Sequence, residues 1–254
     1  MKKLLFIFAI VLPFISPAES TDLNQARDLF EKGTEAYKSG DYESALSFFE
    51  QAESKATGFS INYNLGNTHF KLNNIKESIL YYERALKYEP ANEDVIYNLR
   101  LANDLIVDRI ENLPKSKLNR WWRDFRFGMG PDGWGSIAIA LAFLASILIL
   151  IYTFRFRPVV RRFGFYGGLI AVVLMICAIT LAQSAKNFRM ENISGIIFID
   201  KVDVKSEPRP ESLDILVLHA GTKVDIIDQD GEWYEIQIAS GDRGWLKAET
   251  VEEI

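Results

Sequence analysis

Few side chains in this sequence could do covalent chemistry. There are two histidines, His69 and His219, and one cysteine, Cys177. No serine sits in a nucleophile elbow, no glycine-rich loop is shaped for phosphate, and no His, Cys and Glu fall at metal-ligand spacing. Asp228, Asp230 and Glu232 are close in sequence, but they flank a hairpin-turn pattern, where acids are ordinarily solvated. Cys177 lies within an apolar run and reads as a small apolar residue; alone, it supports no disulfide framework. The expectation is a protein without catalysis, metal or cofactor, whose chemistry is recognition by hydrogen bonds and apolar contact.

The elements that would position such recognition begin with two uncharged runs near the middle of the 254 residues. These are Ile137–Phe154 (IAIALAFLASILILIYTF) and Phe163–Ala182 (FGFYGGLIAVVLMICAITLA). About 18 or more apolar residues can cross the roughly 30 Å hydrocarbon core as a helix. Neither run keeps the polar face that a helix packed in a water-soluble domain normally has. Spans are expected over 135–154 and 163–184, joined by residues 155–162. That loop carries Arg155, Arg157, Arg161 and Arg162 and no acid, which assigns it to the cytoplasm under the positive-inside rule.

At the amino terminus, Lys2 and Lys3 precede an apolar stretch, Leu4–Ile15, and then Ser16-Pro17-Ala18. This is the layout of a secretory signal peptide over 1–18. It sends the following residues outward, in agreement with the arginine loop. Lys115, Lys117, Arg120, Arg123 and Arg126 would then lie outside, which raw charge counting disfavours. A basic interfacial helix over 114–134 accounts for them. Leu118, Trp121, Trp122 and Phe125 recur at helical spacing there, with cations on other faces, as expected of a helix in the membrane interface. Trp121, Trp122, Arg123 and Trp134 are its candidate contacts with the lipid bilayer; a protein-docking surface is the competing reading. The net charge is −5, with acids dominating 19–113 and 191–254 and cations gathered at the membrane borders. That distribution argues against nucleic acid as a partner.

Residues 22–113 contain an internal repeat. Gly33, Gly40-Asp41-Tyr42, Ala45, Phe49 and Ala52 return as Gly66, Asn73-Asn74-Ile75, Ser78, Tyr82 and Ala85, an offset of 33 throughout. Tyr63-Asn64-Leu65 returns as Tyr97-Asn98-Leu99. This pattern resembles the tetratricopeptide repeat. Two units are expected, about 26–58 and 59–92, with an extra helix over about 93–112 covering the last apolar face, as solenoid ends require. Small residues belong where paired helices touch, with Tyr42, Phe49, Ile75 and Tyr82 filling the gaps. Lys32 stands where Leu is usual, and Asn73-Asn74-Ile75 replaces the Gly-Asp-Tyr turn. The resemblance implies a partner-binding groove at Tyr63, Asn64, Asn67, Phe70, Lys71, Tyr97 and Asn98. There asparagine amides would offer a donor and an acceptor to a peptide backbone. His69 takes the place of a usual Tyr and reads as packing.

Residues 193–254 change to short β-type runs: 196–199, 202–204, 214–218, 223–228, 233–238 and 244–246, with a hairpin turn at Asp230-Gly231. Val204-Lys205-Ser206-Glu207-Pro208, Gly221-Thr222-Lys223-Val224, Gly231-Glu232-Trp233-Tyr234-Glu235-Ile236 and Gly244-Trp245-Leu246 resemble the bacterial SH3 domain. The resemblance implies a small, partly open barrel that binds cell-wall peptides or proteins. Trp233 and Tyr234 would form an aromatic platform; the alternative is that Trp233 and Trp245 pack the core.

The fold class expected is therefore a multi-domain membrane protein. It joins an all-α tetratricopeptide solenoid, a two-helix transmembrane hairpin and a small all-β SH3-like barrel. The module order, with Trp121-Trp122-Arg123 before the spans, is similar to the BatE family of Bacteroides aerotolerance operons. That resemblance implies an inner-membrane, multi-pass protein with both domains on the periplasmic side. It would act in oxygen or envelope-stress tolerance beside von Willebrand factor A-type membrane proteins and a MoxR-type ATPase. The alternative function is a peptidoglycan-binding wall anchor working through the SH3 domain.

Overall fold

The computed structural model describes residues 17–108, 121–122, 125–126, 128–154, 157–191 and 193–254. Most of the expected signal peptide and the middle of the juxtamembrane stretch, Arg123 included, lie outside these residues. The chain divides into two units, Met1–Thr57 and Gly58–Ile254.

The first unit is a helical hairpin of α1 (Pro17–Ser39) and α2 (Tyr42–Glu53). A Cβ on Gly33 would lie 2.7 Å from the Phe49 ring, so only glycine lets the aromatic seat against α1. Ala45, Phe49 and Ala52 are fully buried. The turn between the helices closes on Gly40, at φ 85°, after which Asp41 caps α2 by accepting from the Ser44 N–H at 3.1 Å.

The second unit repeats this plan in α3 (Phe59–Lys71) and α4 (Ile75–Tyr88), and adds α5 (Glu93–Asn103). A Cβ on Gly66 would lie 2.6 Å from the Tyr82 ring. Ser78 is buried and donates from Oγ to the Gly66 carbonyl at 2.9 Å. Asn73 takes the left-handed turn conformation, φ 63°, which asparagine tolerates better than most residues. It thus serves where the first repeat has Gly40. The helix α5 ends at Asn103, short of the expected 112, and the following turn runs to Asp108.

Two long apolar helices follow, α6 (Gly130–Thr153) and α7 (Pro158–Glu191). Both are long and apolar enough to cross a membrane. They pack on each other through small residues seven apart: Gly164, Ala171, Ala178 and Ala185 on α7 are buried, as are Ala138 and Ala145 on α6. Seven-residue spacing keeps one seam of each helix facing its partner. A Cβ on Gly164 would meet the Leu148 carbonyl at 2.8 Å, so the backbones touch there. The large apolar side chains, Ile139, Phe143, Ile147 and Leu150 among them, point away from the seam and are exposed.

The remaining residues form one antiparallel sheet of seven strands. They are β1 (Ser194–Ile197), β2 (Lys201–Lys205), β3 (Asp214–His219), β4 (Lys223–Asp230), β5 (Trp233–Gln237), β6 (Arg243–Lys247) and β7 (Val251–Glu253). Their spatial order is β3-β2-β6-β5-β4-β1-β7. The sheet does not close: β3 and β7 are its two edges, so the expected barrel is an open, curled sheet. The strand β7 is absent from the sequence reading because it is three residues long and reaches the sheet through the helical turn Ala248–Thr250. Gly231, at φ 58°, makes the β4–β5 turn. The core between the sheet's curled halves is aliphatic: Ile197, Val202, Val204, Leu218, Val224, Ile236, Ile238 and Leu246.

Candidate functional site

The groove expected on the repeat is built around Asn67 of α3. Its Oδ1 accepts two hydrogen bonds, from the Tyr82 hydroxyl at 2.8 Å and from Asn98 Nδ2 at 3.0 Å. Asn98 Nδ2 is also 3.4 Å from the Tyr63 hydroxyl. Tyr63 is itself stacked on Phe59, ring centroids 5.8 Å apart. Tyr63, Asn67 and Asn98 are thus brought together across α3 and α5, and Tyr82, outside the expected groove set, joins them from α4. The network uses the acceptor of Asn67 and the donor of Asn98. It leaves Asn67 Nδ2, a donor, and Asn98 Oδ1, an acceptor, without a partner among the described residues. An extended peptide backbone presents the complementary pair.

The other groove candidates sit differently. Asn64 turns back on its own helix, donating to the Ser60 carbonyl at 2.8 Å. Phe70 packs half-buried against the cluster of Ile79, Tyr82 and Leu99. Lys71 and Tyr97 are exposed, Tyr97 by 59%. His69 is buried and stacked on Tyr81, centroids 5.3 Å apart and planes 8° from parallel. Burial holds its imidazole below the ordinary value, which keeps it neutral in packing.

In the SH3-like sheet the register separates the aromatics. Tyr234 pairs with Leu246 and Ile236 with Gly244, on the core face. Trp233 pairs with Lys247 and Glu235 with Trp245, so alternation puts Trp233, Glu235 and Trp245 on the opposite face. Neither tryptophan packs the aliphatic core. Tyr234 lies half-buried against it and donates its hydroxyl to Glu253 at 2.7 Å, an anionic acceptor that raises the phenol's pKa. Adjacency in sequence suggests a platform of Trp233 with Tyr234; the pleat instead sets Trp233 on the same face as Trp245, diagonally across β5 and β6.

Before α6, Trp121, Trp122 and Phe125 form an exposed ring cluster, with Trp121 stacked on Phe125 at 5.8 Å. Trp134 is buried: it donates from Nε1 to the Arg126 carbonyl at 2.9 Å and packs beside Ala138 and Ala178. Among the described residues no three His, Cys, Asp or Glu side chains converge on a point that could hold a metal.

Comparison with known families places these features. Residues 61–92 match the tetratricopeptide repeat and residues 200–252 match the bacterial SH3 domain. The chain therefore contains a repeat of a class that binds proteins and a module of a class that often binds the cell wall. No curated protein matches the chain.

Proposed function

We propose that this protein is a non-catalytic, membrane-anchored interaction scaffold whose repeat groove holds an extended segment of a partner protein. The observation that carries this reading is the paired amide of Asn67 and Asn98, hydrogen-bonded to Tyr63 and Tyr82 and leaving, among the described residues, one donor and one acceptor unused. The two apolar helices would anchor the scaffold by crossing the inner membrane, with the Trp121–Phe125 cluster in the interface and both domains on the periplasmic side after removal of a signal peptide. Similarity of module order to the BatE family points to partners of the von Willebrand factor A and MoxR-ATPase kind, and to a role in aerotolerance or envelope-stress tolerance. The test is crosslinking of the full-length protein in native membranes, with mass spectrometry of what is trapped. A partner lost from Asn67→Ala and from Asn98→Ala but kept by Asn64→Ala supports the groove; a partner kept by all three variants overturns it.

A second reading has its own support. Trp233, Glu235 and Trp245 share one face of the sheet, and a pair of aromatics beside a carboxylate suits a wall peptide or glycan. In this reading the protein is a peptidoglycan-binding anchor. Detergent-solubilised full-length protein incubated with purified sacculi separates the two. Sedimentation with sacculi that is lost in Trp233→Ala and unaffected by Asn67→Ala favours the anchor.

A further inference from the structure

The second repeat and the SH3-like sheet meet along an interface that neither module's sequence signature contains. Its centre is apolar. Ile196 of β1 is fully buried in the same cluster as Ile79, Leu80, Tyr82 and Ala85 of α4 and Val95, Leu99 and Ala102 of α5; Ile106, Phe198 and Ile254 pack against that cluster. A row of α4 cations borders it. Lys76 donates to the Phe198 carbonyl at 2.9 Å, Arg84 to the Glu253 carbonyl at 2.9 Å, and Lys87 to the Ile254 carbonyl at 2.5 Å. In the reverse direction Lys223 of β4 reaches Glu83 of α4 at 2.6 Å. The far side is closed by Asp108, just beyond α5. Its carboxylate accepts from the His219 N–H at 2.6 Å and the Thr222 hydroxyl at 2.7 Å, and lies 2.7 Å from His219 Nδ1. Beside it a Cβ on Gly221 would lie 2.6 Å from Ile106.

We infer that the second repeat, α5 and the SH3-like sheet are one rigid recognition body, and that the membrane hairpin is an out-and-back excursion from it. Asp108 precedes the hairpin and is bound by the SH3-like sheet. β1 follows the hairpin and is bound by α4. The chain therefore leaves and re-enters the same body, and it crosses the membrane an even number of times in between. An odd number would put Glu83 and Lys223 in different compartments and expose Ile196 and Ile79 to water. The apolar end of the repeat is covered by a β-sheet as well as by α5, which meets the capping need of a solenoid. The α4-facing flank of the SH3-like module is covered by these contacts, in which Asn67, Asn98, Trp233 and Trp245 take no part. Two ligands, one at Asn67 and Asn98 and one at Trp233 and Trp245, would sit at a fixed separation, so their effective concentration is set by the body itself and no flexible tether enters. This inference stands whether or not the groove binds a peptide.

Treatment of wild-type protein in native membranes with a zero-length carbodiimide tests it without any substitution. The expected product is a Glu83–Lys223 isopeptide in the monomer band, found by peptide mass spectrometry. Recovery of both peptides unlinked, or a link confined to a dimer band, overturns the inference. A second arm uses Lys71→Cys and Lys201→Cys, each alone in a Cys177→Ala background. An impermeant maleimide added to vesicles of known orientation should label both or neither. Labelling of one and protection of the other overturns the inference independently of the carbodiimide result.

Discussion

The two helical hairpins of the repeat region are close copies inside and different outside. In each, a glycine on the first helix accepts an aromatic ring from the second: Gly33 takes Phe49 and Gly66 takes Tyr82, at nearly the same distance. In each, a left-handed residue makes the turn, Gly40 or Asn73. The outer positions diverge. At the offset of 33, α4 has Lys76, Glu83, Arg84 and Lys87 where the first repeat has Glu43, Glu50 and Gln51 of α2 and Ser54 just past its end. The carbonyls at Phe198, Glu253 and Ile254 need donors with long reach, and Glu43, Gln51 and Ser54 do not supply three cations. The repeat plan therefore fixes how a helical pair closes on itself, while a handful of surface substitutions decide whether that pair can carry a β-sheet.

This contrast can be broken most sharply at its apolar centre. Ile79→Ala should cost about 2–5 kcal/mol, as large-to-small changes in a closed core do, because Ile79 is fully buried in the cluster shared with Ile196. Leu46→Ala, at the same repeat position, should cost clearly less, since Leu46 is only half-buried. Denaturant unfolding of the detergent-solubilised protein checks both; equal losses would remove the distinction between the two outer faces. The likeness of the interiors is sharpened by Gly33→Ala and Gly66→Ala. Each places a methyl within 2.7 Å of a ring and should cost about 1–3 kcal/mol by overpacking, with the two losses matching.

Asp108→Asn tests the latch between α5 and the sheet. Removing the charge from three short contacts should cost about 1–3 kcal/mol. Burial alone would raise this carboxyl's pKa, but the Thr222 and His219 hydrogen bonds outweigh it and hold it below the ordinary value. A carboxylate lowered by folding stabilises the native state above its unfolded pKa, about 3.9. That contribution is lost as pH falls through the folded value. Protection of α4 amides from hydrogen exchange should therefore fall on acidification below about pH 4 in wild type, with a smaller fall in Asp108→Asn. The smallest effect belongs to the turns. Gly40→Ala and Asn73→Ala each force alanine into the left-handed region and should cost about 1 kcal/mol, read as a lowered unfolding midpoint of similar size in both.

Much of the architecture was legible in the residues. The 33-residue offset located both helical hairpins, because the small-against-large pairing of Gly33 with Phe49 and Gly66 with Tyr82 is a local rule written into each copy. The two uncharged runs gave α6 and α7 through length and composition alone. Six strands followed from short β-type runs between turn residues. The groove was legible in part: Asn67, Tyr63 and Asn98 were named, but their hydrogen-bonded order, and the part played by Tyr82, depend on how α3, α4 and α5 cross.

What the sequence alone determined is the set of modules and their internal packing, because periodicity and turn chemistry act over a few residues. What the tertiary structure decided is which modules touch. No local motif or spacing marks Asp108, His219, Lys76, Arg84 or Lys87 for contact with another module. Only when the chain has folded back past the hairpin do they find partners more than a hundred positions away, for His219 at Asp108 as for Lys76 at Phe198. Hydrogen bonds and burial depend on distance in space, and sequence spacing carries no record of that distance across an excursion of this length.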